Sequence, residues 1–219
     1  VALALATAAH AGRDCEQKPP AADAVARGMN LAQATAAKLD ASGAQVVLLA
    51  RARQDLSRYR LRWSHLGLVY KDVRGATPVW RVVHKLNHCG TAQAALYRQG
   101  LGEFFLDDPH RYEAAFSVLA VEAQQRLLPL LQDNDRVDDW HEPRYNLVAY
   151  PWATRYQQSN QWSIETLAGA VDAGATDRTR AQAWLRLKGY APHTLRLGAL
   201  TRLGARVSKA NVEFDDHPN

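Results

Sequence analysis

The two segments Arg60–Tyr70 and Pro78–Asn87 constrain the fold of this chain more than any other feature. Both contain Val, Leu and Trp in the alternating pattern that is typical of a β-strand with one buried face. The residues Asp72–Thr77 between them supply polar and glycine turn chemistry. We therefore predict an antiparallel hairpin in which residues 71 and 78 pair, with a shift by two residues as the alternative.

Other segments predict a mixture of helices and strands. Helical periodicity, or a helix-forming composition, is found in 21–41, 92–105 (helix and loop), 121–131, the segment after Ser159, and 178–188. Short apolar or β-branched runs predict strands at 45–50, 111–118, 145–150 and 207–214. Because these elements do not follow a regular βαβ repeat, we expect an α+β fold.

Composition is that of one globular domain with a substantial core. The chain has 219 residues, of which 47% are apolar and 22% are charged, and no Gly/Ser-rich or Pro-rich linker divides it. Its net charge is +5, but we interpret the Lys and Arg residues as scattered, which argues against a nucleic-acid partner. A periplasmic protein near anionic cell wall or lipid headgroups has the same balance, as does an ordinary solvated surface.

The first residues resemble the end of a secretory signal. The run of small apolar residues at 1–11 ends in Ala9-His10-Ala11, which is the small-x-small pattern of a signal-peptidase site. We expect 1–11 to be a signal remnant and 12–219 to be a single periplasmic domain; an Ala-rich helical extension is the alternative. In an oxidising compartment the two cysteines, Cys15 and Cys89, would form a disulfide.

His65 is the first candidate catalytic residue. The alternation of the first hairpin strand places it on the inward face, and that of the second strand places His84 on the same side. Gly67 leaves space beside the imidazole for a neighbouring element. Imidazole titrates near neutral pH and can act as a general base, although a buried histidine held by a backbone carbonyl is the structural alternative.

Ser159 is the second candidate, because it opens a predicted helix. Serine is a favoured helix N-cap, so a purely structural role is the first interpretation. The functional alternative is a nucleophile whose anionic states are stabilised by the N–H groups at the helix start. Four nearby side chains are candidates for substrate binding: Tyr156, Asn160, Gln161 and Trp162, of which Trp162 is equally suited to the core.

Four strings of sequence resemble the bacterial domain-of-unknown-function family 2145. They are Ser64-His65-Leu66-Gly67, Tyr97–Leu101, Arg155–Trp162 and Phe214–Pro218. That family looks related to the circularly permuted papain-like hydrolases of the NlpC type. The resemblance implies a permuted papain-like domain whose antiparallel sheet packs against the nucleophile helix.

Carried over to this sequence, the resemblance implies His65 as general base, His84 as orienting group and Ser159 at the position where many relatives have cysteine. An alcohol is not ionised near neutral pH, so Ser159 would depend more heavily on His65 than a thiol would. We expect an exported hydrolase acting on cell-wall peptide amides. A lipid or lipoprotein acyltransferase and an inactive binding module are the alternatives, with peripheral membrane contact as a further expectation.

No cofactor or metal is expected. A metal site could be assembled from His84, His88 and Cys89 together with the terminal Asp215-Asp216-His217, but these residues lack the ligand spacing of a defined metal motif. If the protein were reduced, Cys89 would be a rival nucleophile. The sequence does not indicate an oligomeric state.

Overall fold

The computed structural model describes residues 19–107, 109–198 and 210–218. Within them the strands are β1 (Val46–Ala52), β2 (His65–Asp72), β3 (Val79–Asn87), β4 (Ala94–Gly100) and β5 (Arg111–Val118). The helices are α1 (Ala22–Ala41), α2 (Leu101–Leu106), α3 (Val121–Leu131), α4 (Asn134–Val137), α5 (Ser159–Val171) and α6 (Arg178–Leu187), with a short 3₁₀ turn at Ser57–Tyr59. This combination is an α+β fold, as expected.

The five strands form one antiparallel sheet in the order β4-β3-β2-β1-β5. The predicted hairpin is present as β2 and β3, but its register is the alternative one, because Asp72 pairs with Val79. The recorded β2–β3 pairing begins at Leu68, opposite Val83. The strand itself begins at His65 rather than Arg60.

Hydrophobic side chains cover both faces of the sheet. On one face, Val69 and Val82 pack with Phe104 and Phe105 of α2 and with residues of α1 such as Leu39. On the other face, the core contains Leu68, Val83 and residues of α3, α5 and α6, among them Leu127, Trp162 and Leu185. The sheet therefore separates two helical layers, and α5 contacts β2 and β3. No helix in the described ranges is both long enough and apolar enough to span a membrane.

Three sequence predictions differ from the structure. The segment 92–105, expected to be helix and loop, forms β4 followed by the short helix α2. The segment 145–150 contains one turn, at 147–148, and no strand; Asn146 Oδ1 accepts from Val148 N within it. Of the predicted terminal strand, 207–209 lie outside the described residues and 210–214 do not form a strand.

Candidate functional site

His65 and His84 meet on neighbouring strands, on the same face of the sheet. His65 Nε2 and His84 Nδ1 are 2.8 Å apart, and the two ring centroids are separated by 5.1 Å. Both rings pack against Phe104 of α2, at 6.0 and 5.2 Å between centroids. The predicted placement is confirmed, and it brings the rings to the face that α1 and α2 cover.

The hydrogen bonds around this pair fix where the ring protons lie. His84 Nε2 is 2.8 Å from Gln99 Oε1 on β4. A carbonyl oxygen only accepts, so His84 Nε2 donates and its Nδ1 is an acceptor. His65 Nε2 must then donate to His84 Nδ1. The chain Gln99–His84–His65 therefore leaves the lone pair of His65 on Nδ1, which is the nitrogen that could accept a proton.

Burial and positive charge keep both histidines neutral. Burial lowers the pKa of His65 well below its usual range, and the guanidinium of Arg51 acts in the same direction. Burial and Arg51 also lower the pKa of His84 to about 4. Arg51 pairs with His65 in the β1–β2 register, lies over the Phe104 ring and forms an ion pair with Asp107 at 2.7 Å. Near pH 7 the site thus contains two uncharged imidazoles.

Ser159 is the first residue of α5, and it does not cap the helix. The N-cap is Gln158, whose Oε1 accepts from Asn160 N at 2.9 Å, while the Gln161 side chain bonds back to Gln158 N at 3.4 Å. The capping interpretation of Ser159 is therefore wrong, because glutamine performs that role. Sequence reasoning missed it, since glutamine is not among the common N-cap residues.

Asn160 connects the start of α5 to the strand that carries His65. Its Oδ1 accepts a hydrogen bond of 2.9 Å from Leu66 N, the residue after His65. Leu66 lies just before the recorded β2–β3 pairing begins, so the first turn of α5 approaches β2 where its N–H is available. This bond brings the segment with Ser159 to the segment with His65. The two side chains themselves lie in different layers, because the His65 ring is on the face covered by α1 and α2 whereas α5 packs on the other face. Among the described residues, no hydrogen bond joins Ser159 to His65.

Tyr145 is a polar neighbour of Ser159 that sequence reasoning placed on a strand and did not consider as a site residue. Its side chain is 8% exposed. Burial raises the pKa of Tyr145, and a hydrogen bond between its side chain and that of Ser159 acts in the opposite direction. A buried phenol therefore lies close to the candidate nucleophile.

The remaining predicted substrate-binding residues have different environments. Trp162 is fully buried and belongs to the core, which favours the structural interpretation. Gln161 is mostly buried, and its Nε2 donates to Pro151 O at 3.3 Å. Tyr156 is half-buried, and its hydroxyl donates to Asp215 at 3.4 Å. Only Asn160 and Tyr156 therefore keep substantial exposure beside Ser159.

A buried polar network connects α5 to β3 and to α6. Gln157 accepts from Lys85 Nζ at 2.8 Å and donates to Glu165 at 2.6 Å, and Glu165 pairs with Arg178 at 2.7 Å. Lys85 also donates to Glu142 O, and burial lowers its pKa to about 7. The network joins the residue after His84 to the segment that leads into Ser159. Because its members are far apart in the chain, no local sequence pattern indicates this network.

The C-terminal residues 211–217 pack along the segment 146–150. Asn146 exchanges hydrogen bonds with the backbone of Glu213, at 2.9 and 3.2 Å, and Asp216 accepts from Tyr150 N at 2.9 Å. His217 Nε2 is 2.8 Å from Val148 O. Asp216 and His217 thus bind the backbone of the segment 146–150, whereas His84 pairs with His65. The structure does not bring these predicted metal ligands together. Among the described residues, no group of three or more His, Cys, Asp or Glu side chains could hold a metal ion.

The N-terminal predictions fall outside the described residues. This applies to the signal remnant at 1–11 and to Cys15, the predicted partner of Cys89. The disulfide therefore stays a prediction.

The fold and the site together define an α+β protein with a buried histidine pair next to the start of a helix. A family model, described as an uncharacterized protein conserved in bacteria (DUF2145), matches residues 38–219, and the chain belongs to this family. The match includes all the candidate site residues described above. No curated protein and no solved structure matches the chain.

Proposed function

We propose that this protein is an acyl-transfer hydrolase in which His65 is the general base and Ser159 is the nucleophile. The observation that carries the proposal is the hydrogen-bonded chain Gln99–His84–His65, with distances of 2.8 Å at both links. A neutral imidazole held in one tautomer by a second group is the arrangement that activates a hydroxyl or thiol. The capping role of Gln158 supports it, since Ser159 is then not needed as the N-cap of α5.

The proposed reaction uses the atoms as follows. The Ser159 hydroxyl gives its proton to His65 Nδ1 while Oγ attacks the carbonyl carbon of an amide or ester. This transfer requires the first turn of α5 to reach past the start of β2 to the face that carries the His65 ring. The tetrahedral intermediate expels the amine or alcohol, which takes the proton from His65. Water then cleaves the acyl-enzyme by the same steps and regenerates Ser159. Because Gln158 occupies Asn160 N, the Tyr145 hydroxyl is the proposed donor to the oxyanion.

The proposal includes a permuted papain-like arrangement. Support comes from the chain order, since the strands with His65 and His84 precede the helix with Ser159, and from the contacts of α5 with β2 and β3. Cell-wall peptide amides are the first proposed substrates, followed by lipid or lipoprotein acyl groups.

A binding module without catalysis is the second candidate. The buried Arg51 favours it, because its positive charge opposes the protonated form of His65 that must exist during acyl transfer. In that case the site would hold a ligand through neutral hydrogen bonds.

Covalent labelling distinguishes the two candidates. The full chain is treated with a serine-directed fluorophosphonate, and labelling is located by peptide mass spectrometry. We expect modification at Ser159 that is lost in Ser159→Ala and in His65→Ala. Ser163→Ala is the matched control, because Ser163 is buried one turn further along α5 and its Oγ has no partner among the described residues. His88→Ala, at an exposed position, is the second control. Silence at high probe concentration would favour the binding module.

A cysteine at the nucleophile position gives a second test. Ser159→Cys should produce a thiol with a lowered pKa, because the N–H groups at the start of α5 favour the thiolate. Alkylation rates measured against pH report that pKa. A thiol that titrates near its ordinary value would contradict the catalytic assignment.

Export to the periplasm with a Cys15–Cys89 disulfide is part of the same proposal. Its support is the small-x-small site at residues 9–11 and the count of two cysteines. Thiol titration of denatured, unreduced protein from the periplasm should find no reactive thiol. Two reactive thiols would remove the disulfide from the proposal.

A further inference from the structure

The positive charge of the chain is concentrated near its C-terminal end. From Arg178 to Val212 the sequence contains eight Lys or Arg residues and no Asp or Glu. The whole chain has 27 basic and 22 acidic residues, so the net charge of +5 comes entirely from this stretch. Within this stretch the basic residues are therefore not balanced by acidic ones, unlike those in the rest of the chain.

The described part of this stretch combines exposed cations with exposed apolar side chains. We define the α6 surface as six exposed residues at the end of α6 and in the segment that follows it: Arg186, Leu187, Lys188, Tyr190, Leu195 and Arg196. Its three apolar or aromatic members are exposed: Leu187 by 80%, Tyr190 by 41% and Leu195 by 38%. The three basic residues are exposed as well. Leu187, the most exposed of the three, does not belong to the hydrophobic core.

Aromatic rings accompany two of these cations. The guanidinium of Arg186 lies 4.6 Å from the ring centroid of Trp152, and Lys188 Nζ lies 5.6 Å from that of Trp184. Trp152 in turn contacts Tyr190 at 6.2 Å between centroids. Proteins often place Trp and Tyr beside Lys and Arg where they contact the headgroup region of a bilayer.

We propose that the α6 surface binds the surface of a bilayer that contains anionic lipids. The cations match the negative headgroups, while Leu187, Tyr190 and Leu195 enter the boundary between headgroups and acyl chains. A polyanion such as nucleic acid would use the cations but would leave Leu187 in water. The exposed apolar side chains therefore favour lipid.

A cavity connects this surface to the start of α5. Tyr190 and Pro192 line it together with Trp152, Leu185 and Ile164, and so does Gln158, the residue before Ser159. A bilayer on the α6 surface would thus lie beside the start of α5. The binding inference itself does not require Ser159 to be catalytic.

Vesicle co-sedimentation tests the proposal. The full chain is mixed with vesicles of phosphatidylcholine alone, or of phosphatidylcholine with about one third phosphatidylglycerol. We expect binding to the second kind only, and weaker binding as salt is raised. The variant Arg186→Gln/Lys188→Gln/Arg196→Gln should lower the partition coefficient roughly a hundredfold. Leu187→Ser should lower it several-fold while keeping the salt dependence.

The matched control is Lys38→Gln/Arg58→Gln/Arg136→Gln, which removes the same charge from exposed positions elsewhere. Its loss of vesicle binding should be at least about tenfold smaller than the loss in the α6 variant. Equal losses in the two triple variants would overturn the α6 surface as the site. Binding to heparin as tight as to anionic vesicles, with no effect of Leu187→Ser on either, would identify a general polyanion surface instead and overturn the lipid assignment.

Discussion

The charge state of His65 and His84 follows from the residues that touch them. Phe104 covers both rings, Gln99 offers a neutral acceptor, and Arg51 contributes a buried positive charge. Asp107, which pairs with Arg51, acts in the opposite direction on His84. Desolvation is the largest influence on both pKa values, so each histidine is neutral in the folded protein at a pH where it would be protonated in the unfolded chain.

This predicts a loss of stability in mild acid. The unfolded chain binds protons on His65 and His84 below about pH 6.5, whereas the folded protein does not until His84 reaches its pKa of about 4. The free energy of unfolding should therefore fall as pH drops through this window, by about 3 kcal/mol from His84, and His65 acts in the same direction. Urea unfolding at a series of pH values measures it.

Two substitutions isolate that contribution. His84→Gln should flatten the dependence of stability on pH between about 6.5 and 4.5, whatever its effect at pH 7. His88→Gln, at an exposed position, should leave the slope as it is in the wild type. Identical slopes for all three proteins would show that the pair does not stay neutral.

Gln99 shows why the sequence predicted only part of this site. The alternation of two recognisable strands was enough to place His65 and His84 on one face. Gln99 lies on β4, which was predicted as helix and loop because Ala, Leu, Arg and Gln favour helices. Pairing of β4 with β3 overrides that propensity, and a single sequence does not report such a tertiary effect.

At the scale of elements, Gly67 controls how closely β2 approaches β3. A Cβ at this position would lie 2.5 Å from Val82 Cγ1 and 3.6 Å from His84 Cβ. Gly67 leaves the space that the sequence predicted for a neighbouring element, and that element is the adjacent strand β3. Spacing of the two strands therefore determines the distance between the histidines.

Gly67→Ala should destabilise the protein by about 1–3 kcal/mol, because the methyl group overlaps Val82. Urea unfolding measures the change, and adding Val82→Ala should recover part of it. Gly100→Ala is the matched control, since a Cβ there meets nothing within 4 Å and its φ is −76°. A Gly67→Ala protein as stable as the Gly100→Ala protein would refute the close approach.

The attachment of α5 to β2 through Asn160 gives another prediction. Asn160→Ala removes the acceptor of Leu66 N and should cost about 1–3 kcal/mol, whereas Asn160→Asp keeps an acceptor oxygen and should cost less. Hydrogen exchange provides a local readout, because the Leu66 amide should exchange faster in Asn160→Ala than in Asn160→Asp. Equal exchange in the two variants would mean that this bond does not hold the helix.

At the scale of the whole molecule, Glu165 joins α5, α6 and the preceding loop. Its carboxylate accepts from Gln157, Arg178 and Gln182 at 2.6 to 2.7 Å, and its side chain is 1% exposed. Arg178 also donates to the backbone oxygens of Thr154 and Tyr156. The carboxylate of Glu165 is therefore the common acceptor of three buried side chains.

Glu165→Gln should therefore be severely destabilising, by about 3–5 kcal/mol, because it leaves Arg178 buried without a counter-charge. The double variant Glu165→Gln/Arg178→Gln should lose less than the sum of the two single variants, as measured by urea unfolding. The exposed pair Asp177–Arg180, 3.5 Å apart, is the matched control and should show a coupling near zero. Additive losses at Glu165 and Arg178 would contradict a buried network.

The bonds between Asn146 and Glu213 also determine the order of events during synthesis. These partners are 67 residues apart in the sequence. Tyr150 and Asp216 are 66 residues apart, and Val148 and His217 are 69 apart. The sheet strands, all of which lie before residue 119, can pair while the rest of the chain is still being made. The segment beside Ser159 cannot reach its final hydrogen bonding until residues 211–217 have left the ribosome. The candidate site is therefore completed last, long after its histidines are in place.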